Sequence, residues 1–416
     1  MKSFDELAVS PLLKENLARA RLTTPTPIQA EAIPVALDGK DVLGTAQTGT
    51  GKTVAFVLPI LEKLMTSGGR GLEALVLLPT RELALQVLDV FARVGKGTGI
   101  RAVEIVGGLA ESRQLESIRQ GARLAVATPG RLDDYVRRHL VDLRGVKILV
   151  LDEADRMVDM GFLPQMRTIM NAMSRERQTM CFSATMEPSV ARLVREYLKN
   201  PVRVEIGSTT KPVERITLQA YQVFREQKTA LLIHMLGQEP GTFLVFTRTK
   251  YGADKLARKL QHAGFDAAVI HGGRSQSQRT AALHGFKQGR HRILVATDIA
   301  ARGIHVHGIA QVINYDLPQV PEDFIHRVGR TGRVEATGTA TTFIMPEDMS
   351  DVRIIERMLG APIQRLPLPE GLPAEPRSLH EEYAEKKARG FSSFKAASGP
   401  SARPNPRLRR RNFRYR

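Results

Sequence analysis

Cysteine, tryptophan and long apolar runs are scarce in this chain of 416 residues, and each scarcity excludes a class of protein. The one cysteine, Cys181, excludes an internal disulfide, and no Cys/His cluster has the spacing of a structural zinc site. No segment approaches the roughly 18 consecutive apolar residues of a membrane-spanning helix. Met1 to Ser10 lacks a basic start followed by an apolar run, so we expect no secretory signal. We therefore predict a cytoplasmic protein that is not embedded in a membrane.

Positive charge is what the sequence has in excess. The formal net charge is +18, and residues 377–416 contain twelve Lys and Arg against three Glu. This surplus favours a polyanionic partner, with nucleic acid ahead of an anionic membrane surface. The same stretch is rich in Gly, Ser and Pro, which cannot bury enough apolar surface to offset chain entropy. It is predicted to be a disordered basic arm.

Short apolar and β-branched runs alternate with helix-like segments in two successive series. The chain is too long for one core, and this alternation is typical of parallel sheets covered by helices. We therefore predict an α/β fold with two tandem domains. The runs comprise residues 41–44, 75–78, 124–127 and 148–151, then 243–246, 267–270, 293–296, 312–315 and 340–343. The predicted boundaries are 1–206 for the first domain, 207–214 for a linker, 215–366 for the second domain and 367–416 for the tail.

A glycine-rich loop follows the first apolar run and precedes a helical segment. In that context residues 46–53 match a phosphate-binding P-loop, with Ala46 where the general pattern has Gly. Lys52 would reach the β- and γ-phosphates, and the Thr53 hydroxyl would bind Mg²⁺. A chance match has a probability of about a few per cent in a chain of this length. The predicted phosphate-binding residues are Ala46, Gln47, Thr48, Gly49, Thr50, Gly51, Lys52 and Thr53.

Two carboxylates follow the run at residues 148–151, at the edge where open α/β sheets bind ligands. Asp152 would hold Mg²⁺ through water, and Glu153 would orient or deprotonate the attacking water. Taken alone, the acidic segment would more often be a solvated helix start. The preceding P-loop favours the catalytic interpretation.

Residues 326–333 of the second domain contain three arginines within one short segment: Arg327, Arg330 and Arg333. Guanidinium groups that face a γ-phosphate stabilise transition-state charge and are worth roughly three to five orders of magnitude in rate. A solvated or RNA-facing patch is the competing interpretation.

Taken in order, these motifs resemble those of the DEAD-box RNA helicases, over roughly residues 4 to 360. The motifs are residues 25–29, 46–53, 79–83, 107–108, 128–131, 152–155, 183–185, 276–279, 297–303 and 326–333. Sequence around residues 155–162 is most similar to the bacterial RhlE-like branch. The resemblance implies two RecA-like domains that bind ATP, Mg²⁺ and RNA across their cleft, and it makes ribosomal precursors and RNA-decay complexes candidate partners.

The resemblance also implies roles for individual residues. Gln29 would read the adenine and Phe4 would buttress that region, while Asp298 and Gly303 would join the nucleotide site from the second domain. Residues 183–185 would couple hydrolysis to domain closure. The implied catalytic residues are Lys52, Asp152, Glu153, His326, Arg330 and Arg333. The implied RNA-binding residues are Thr80, Arg81, Gly107, Gly108, Thr128, Arg131, Arg279 and Thr297, which would contact phosphates and sugars without reading sequence.

Two positions depart from the family pattern. Arg21 and Leu22 stand where a Gly and an aromatic residue are usual, and His305 stands where Asp is usual. The first departure removes a ring that could stack on adenine, and the second affects the ribose contact. An ATP-gated RNA clamp with little turnover and a translocating DNA helicase remain alternatives to the RNA-unwinding enzyme.

Overall fold

The computed structural model describes residues 3–46, 50–69, 71–206, 216–298, 309–332 and 338–373. The predicted linker, the basic arm and His305 lie outside these ranges. Within them, no helix is both long enough and apolar enough to span a bilayer.

The first domain alternates strands and helices along the chain. Its strands are β1 (Val42–Thr45), β2 (Ala74–Leu77), β3 (Ala102–Ile105), β4 (Leu124–Ala127), β5 (Ile148–Asp152), β6 (Gln178–Ser183) and β7 (Val202–Glu205). Its helices are α1 (Pro11–Arg19), α2 (Pro27–Leu37), α3 (Lys52–Thr66), α4 (Arg81–Val94), α5 (Glu111–Arg119), α6 (Pro129–Arg137), α7 (Ala154–Asp159), α8 (Leu163–Asn171) and α9 (Pro188–Tyr197). A short 3-10 helix, Phe4–Glu6, precedes them.

The second domain repeats the arrangement. Its strands are β8 (Ile216–Gln222), β9 (Phe243–Phe246), β10 (Ala267–Ile270), β11 (Ile293–Ala296), β12 (Gln311–Asn314), β13 (Gly338–Ile344) and β14 (Gln364–Leu366). Its described helices are α10 (Lys228–Gln238), α11 (Lys250–His262), α12 (Gln276–Lys287), α13 (Glu322–Val328) and α14 (Met349–Leu359), with 3-10 helices at Arg225–Gln227 and Pro346–Asp348.

Each domain is built on one parallel seven-stranded sheet. The strand order is β3-β4-β2-β5-β6-β1-β7 in the first domain and β10-β11-β9-β12-β13-β8-β14 in the second. All the strand pairs are parallel. The prediction of two parallel-sheet α/β domains is confirmed.

Helices cover both faces of each sheet. Successive residues of a strand point to opposite faces, so each central strand contributes side chains to two apolar cores. In β2, Ala74 and Val76 enter the core beneath α2, α3 and α4, whereas Leu75 and Leu77 enter the core beneath α6, α8 and α9. Strand β9 divides its side chains between two cores in the same way. Each domain therefore has its own pair of apolar cores.

The sheet topology brings three loops of the first domain together. Parallel strands place their carboxyl ends at one edge of the sheet, and β1, β6 and β5 are neighbours in that order. Thr45 at the end of β1 pairs with Ser183 at the end of β6, and Asp152 at the end of β5 pairs with Phe182. The loop before α3, the acidic segment and residues 183–185 therefore meet at this edge.

Candidate active site

The loop before α3 turns into its helix through a glycine in the left-handed region. Gly51 has φ of 92°, and a side chain there would collide with the Gln29 amide. Lys52, the first residue of α3, is 6% exposed, and its ammonium donates to the Ala46 carbonyl over 3.0 Å. Thr53 lies half-buried in the first turn. The structure therefore presents a buried ammonium at the edge where the strands end.

Some predicted residues cannot be placed in this geometry. Gln47, Thr48 and Gly49 of the loop, together with Gly303 and Arg333 of the second domain, lie outside the described residues. Thr50 lies half-buried in the loop just before Gly51.

Gln29 is held against this loop. Its amide nitrogen donates to the Gly51 carbonyl over 2.9 Å, and its amide oxygen accepts from the Thr26 backbone N–H over 2.9 Å. The second bond arises because Thr26 and Gln29 stand at the N-cap and third positions of α2, where a Gln side chain can reach back to the cap. Phe4 is buried in the core that also contains Ile28. Gln29 therefore orients the start of α3, and Phe4 belongs to the apolar core on the same side of the sheet.

Asp152 is buried beside Lys52 at the carboxyl end of β5. Burial raises the pKa of Asp152 to about 6, and the Lys52 ammonium opposes that rise. One carboxylate oxygen of Asp152 accepts from the Glu153 backbone N–H over 3.0 Å. A group that binds this carboxylate in its charged form would offset the desolvation.

Glu153 adopts a conformation that residues other than glycine rarely take. Its φ of 55° and ψ of 50° lie in the left-handed region, directly before α7. Its carboxylate pairs with the Arg156 guanidinium over 2.6 Å, and both side chains are 4% exposed. The ion pair holds the carboxylate at the edge of the sheet despite the unfavourable backbone.

Asp155 ties the acidic segment to the loop after β6. One carboxylate oxygen accepts from the Ala184 N–H over 2.9 Å, from the Thr185 N–H over 3.0 Å and from the Thr185 hydroxyl over 3.3 Å. The Ser183 hydroxyl donates to the Thr185 carbonyl over 2.7 Å. Residues 183–185, predicted as a coupling segment, are thereby bonded directly to the acidic segment.

The second domain faces this cluster through His326 on α13. Burial would raise the pKa of Asp155, but the nearby Lys52, Arg156 and His326 bring it below the ordinary value. His326 Nδ1 lies 3.7 Å from an Asp323 carboxylate oxygen. The field of the second domain therefore reaches the first domain's acidic segment.

Arg327 has a different environment from that expected of a phosphate-facing arginine. It is 2% exposed, forms two bonds to the Asp298 carboxylate, and donates to the Asp316 carbonyl over 2.6 Å. Its guanidinium also lies over the Phe246 ring, 4.9 Å from the centroid. Arg327 therefore fixes Asp298 within the second domain. Arg330, also buried, donates to the His326 carbonyl over 3.2 Å.

The predicted RNA-binding residues of the first domain form two groups. Arg81 begins α4 beside the Gly107–Gly108 turn, and a side chain on Gly108, which has φ of 78°, would collide with its guanidinium. Thr80 caps that helix by accepting from the Leu83 N–H over 3.4 Å. In the second group, Thr128 precedes α6, and Arg131 on that helix pairs with Asp134 over 3.4 Å and stacks on Tyr135.

An ion pair joins the predicted RNA-binding surfaces of the two domains. Arg279 on α12 pairs with Glu82 on α4 over 2.7 Å, with side chains 11% and 5% exposed. Gln276 donates to the same Glu82 oxygen over 3.4 Å. Burial and the nearby Arg279 lower the pKa of Arg81. Thr297, buried after β11, lies on the same edge of the second sheet as α12's first turn.

Glu82 and Arg156 were not predicted to belong to the site. Both stand beside predicted residues in the sequence, Glu82 after Arg81 and Arg156 after Asp155. That adjacency was the available signal, but the partners of the two side chains become visible only in the folded protein.

Comparison with known proteins gives matches over most of the chain. The DEAD/DEAH box helicase family matches residues 26–193, and the helicase conserved C-terminal domain matches residues 227–335. A DEAD-box ATP-dependent RNA helicase CshA from Geobacillus kaustophilus is 40% identical over 89% of this chain and 79% of its own length. An ATP-dependent rRNA helicase RRP3 from Debaryomyces hansenii is 39% identical over 93% of this chain and 81% of its own.

The fold comparison agrees with the sequence comparison. The structure of S. cerevisiae Dbp5 bound to RNA and ADP BeF3 superimposes with a TM-score of 0.78 at 30% identity, covering 94% of this chain and 99% of that one. Since the two family matches cover both domains and a relative 40% identical covers 89% of the chain, this chain belongs to the DEAD-box ATP-dependent RNA helicase family.

Proposed function

We propose that the protein closes its two domains on ATP and RNA together, opens short RNA duplexes or remodels RNA–protein complexes, and resets by hydrolysing the ATP. The observation that carries this proposal is the meeting of Lys52 with the Asp152, Glu153 and Asp155 carboxylates at one sheet edge, with His326 of the second domain facing them. An ATPase site divided between two domains in this way hydrolyses ATP only when the cleft is closed.

The site's residues fit ATP and Mg²⁺. Lys52 is a buried cation whose ammonium donates to the Ala46 carbonyl, and Gly51 leaves the backbone open at the start of α3. Asp152 is a desolvated carboxylate. Among the described residues, no group of three or more His, Cys, Asp and Glu side chains could hold a metal ion. Asp152 and Thr53 would hold Mg²⁺ through water and through the nucleotide, and the ion would neutralise phosphate charge.

Glu153 would orient and deprotonate the attacking water. Its carboxylate is buried, paired with the Arg156 guanidinium, and fixed by the left-handed turn before α7. Arg330 and Arg333 would stabilise the charge that develops on the γ-phosphate. His326 and the hydrogen bonds from residues 184 and 185 to Asp155 would couple phosphate release to opening of the cleft between the domains.

RNA would bind along the paired edges of the two domains. Thr80, Arg81, Gly107, Gly108, Thr128, Arg131, Arg279 and Thr297 are the proposed contacts. The Glu82–Arg279 ion pair holds the two halves of this surface together. The backbone N–H groups, hydroxyls and guanidinium groups of these residues suit phosphates and sugars, so binding would not depend on sequence. The 2′-hydroxyl would distinguish RNA from DNA.

Steady-state ATP hydrolysis measured with RNA, with DNA and with neither tests the proposal. RNA should stimulate hydrolysis, DNA should not, and a short RNA duplex should separate only when ATP is present. An ATP-gated clamp would bind RNA with ATP but show little turnover, and a translocating DNA helicase would respond to DNA. Lys52→Gln is the nucleotide-binding control, since it removes the phosphate-facing cation.

The cellular context is a further part of the proposal. We place the protein in the cytoplasm and favour ribosomal precursors or RNA-decay complexes as its targets. Assignment to the RhlE-like branch rests on residues 155–162, whereas the relatives named above include a CshA-type helicase. The branch therefore stays a prediction.

A further inference from the structure

Tyr251 is the most exposed large apolar side chain in the described part of the protein, at 71%. It stands in the first turn of α11, which begins where β9 ends and is capped by Thr249 through a 2.9 Å bond from the Gly252 N–H. The packing of α11 uses the opposite side of the helix, including Ala253 and Leu256. The phenol ring is therefore not required by the core.

Helix α11 is tied to the loop that leads into the proposed RNA path. Asp254 lies one turn further along the same face of α11. Its carboxylate pairs with Arg274 and, over 3.0 Å, with His271, both of which lie between β10 and α12. Arg279, one of the proposed RNA contacts, lies in the first turn of α12. The ring thus stands beside the RNA path on the outer side of the second sheet, where β10 is the edge strand.

The charge around the ring is positive. Lys250 forms no ion pair with any residue that the structure describes, and its side chain crosses the Gly272 turn, 3.5 Å from where a Cβ on that glycine would lie. The nearby acid, Asp254, is engaged by Arg274 and His271, so it adds little repulsion for phosphates.

An open pocket of about 560 Å³ lies beyond Tyr251 on the same side of α11. Its polar lining includes Arg258 and Gln261 from α11, Arg274 from the loop after β10, and Gln278 from the first turn of α12. Its size suits one nucleotide, and its donors suit phosphate and base edges.

From these observations we infer that Tyr251 is a stacking platform for one RNA base outside the set of proposed contacts. Lys250 on one side and the pocket on the other hold the flanking phosphates. Aromatic rings combined with cations are the common means of holding single strands without reading sequence. The subsite extends the strand past Arg279 towards the β10 edge. This inference rests on the proposed function, since it adds a subsite to the same RNA path.

The test compares RNA affinities of full-length variants in the presence of ADP and beryllium fluoride. Fluorescence anisotropy is measured with a short single strand, and with that strand extended at its 5′ end or at its 3′ end. Wild type should bind one extended strand more tightly than the short one. Tyr251→Ala should lose about 5- to 150-fold in affinity for that extended strand and little for the short one. Tyr251→Phe should retain the wild-type affinity, because the ring is kept.

Phe224→Ala is the matched control. Phe224 is another highly exposed aromatic residue of the second domain, at 61%, but it follows β8, which is separated from β9 by β12 and β13. Its replacement should leave both affinities unchanged. A 2-aminopurine base moved along the extended strand should show one position whose fluorescence is quenched by wild type and by Tyr251→Phe, but not by Tyr251→Ala.

The outcomes separate this inference from the proposed function. If wild type binds no RNA and RNA does not stimulate its ATP hydrolysis, the proposed function fails. If wild type binds RNA but Tyr251→Ala binds every strand equally well, the stacking subsite alone is overturned, and the exposed ring serves another partner, such as a protein. Equal losses for Tyr251→Ala and Phe224→Ala would also overturn it.

Discussion

Replacing Glu153 with Gln removes one negative charge and keeps the shape of the side chain. If this carboxylate deprotonates the attacking water, RNA-stimulated turnover should fall by about 10² to 10⁴-fold. ATP and RNA binding should persist, because Lys52 and the proposed RNA contacts are unchanged. The variant should therefore accumulate in its closed, RNA-bound form, which a native gel with labelled RNA and ATP can detect.

The structure also sets the effect on stability. Arg156 would keep a hydrogen-bond acceptor but lose its charged partner, and a charge-assisted hydrogen bond is about twice as strong as a neutral one. We expect a loss of roughly 1–2 kcal/mol, which lowers the melting temperature by about 2–8 °C in a domain of this size. Removing the Glu153 charge should also lower the pKa of Asp152, since burial raises that pKa first and Glu153 adds to the rise.

Asp142→Asn is the matched control for this experiment. Asp142 is an exposed carboxylate of the same domain, paired with Arg144 and remote from the sheet edge. Its replacement should leave turnover unchanged and stability within about 0.5 kcal/mol. Turnover of Glu153→Gln within a few-fold of wild type, with nucleotide binding intact, would refute the assignment of Glu153 as the base.

Four other predictions concern the remaining parts of the molecule. Folding raises the pKa of Asp152 from 3.8 to about 6, so the folded state holds a proton that the unfolded chain releases. Its contribution to stability should therefore fall as pH rises from about 4 to about 6. Urea unfolding should show a shallower decline over this range in Asp152→Asn, and parallel curves would contradict the shift. Arg327→Ala leaves a carboxylate without its buried partner, so thermal unfolding should show a loss of about 3–5 kcal/mol, and an unchanged midpoint would count against the structural role. Deleting residues 377–416 should reduce the slope of log RNA affinity against log salt, since a basic arm acts through counterion release. Equal slopes would show that the arm does not touch RNA. His305→Asp should lower the Michaelis constant for ATP near pH 6.5 and flatten the pH dependence of that constant, because protonation of a histidine removes its hydrogen-bond acceptor. Identical Michaelis constants for the variant and wild type would show that His305 does not contact the ribose.

The strands that could be predicted from the sequence are those buried on both faces. Strands β1, β2, β4, β5 and β9 to β13 read as short apolar runs because helices cover both sides of them. Edge strands such as β3 and β7 have exposed or half-exposed positions and give no such run. Strand β6 is fully buried but begins with Gln178, whose amide bonds to the Ala36 and Lys40 carbonyls over 2.8 and 2.7 Å. A polar residue with such partners cannot be recognised as buried from the sequence alone.

The site could be predicted to the level of its motifs but not of its contacts. The sequence predicts that Lys52 and Asp152 share one edge because their loops both follow strands of a parallel sheet, whose carboxyl ends meet at the ligand-binding edge. The Glu82–Arg279 pair joins residues almost two hundred positions apart, and no local pattern indicates it. The sequence groups Arg327 with its neighbouring arginines, because spacing cannot distinguish a buried guanidinium from an exposed one.

The position of β1 in its sheet has a consequence for synthesis of the chain. Val42 pairs with Met180 on one side and with Val202 on the other, so both neighbours of the P-loop strand are made long after it. A nascent chain that stops before Gln178 leaves β1 with no neighbouring strand, while β2, β3 and β4 can already pair with one another. The nucleotide site can therefore form only after nearly the whole first domain has left the ribosome. ATP cannot act as a ligand that stabilises shorter intermediates, so those intermediates depend on their apolar cores or on chaperones.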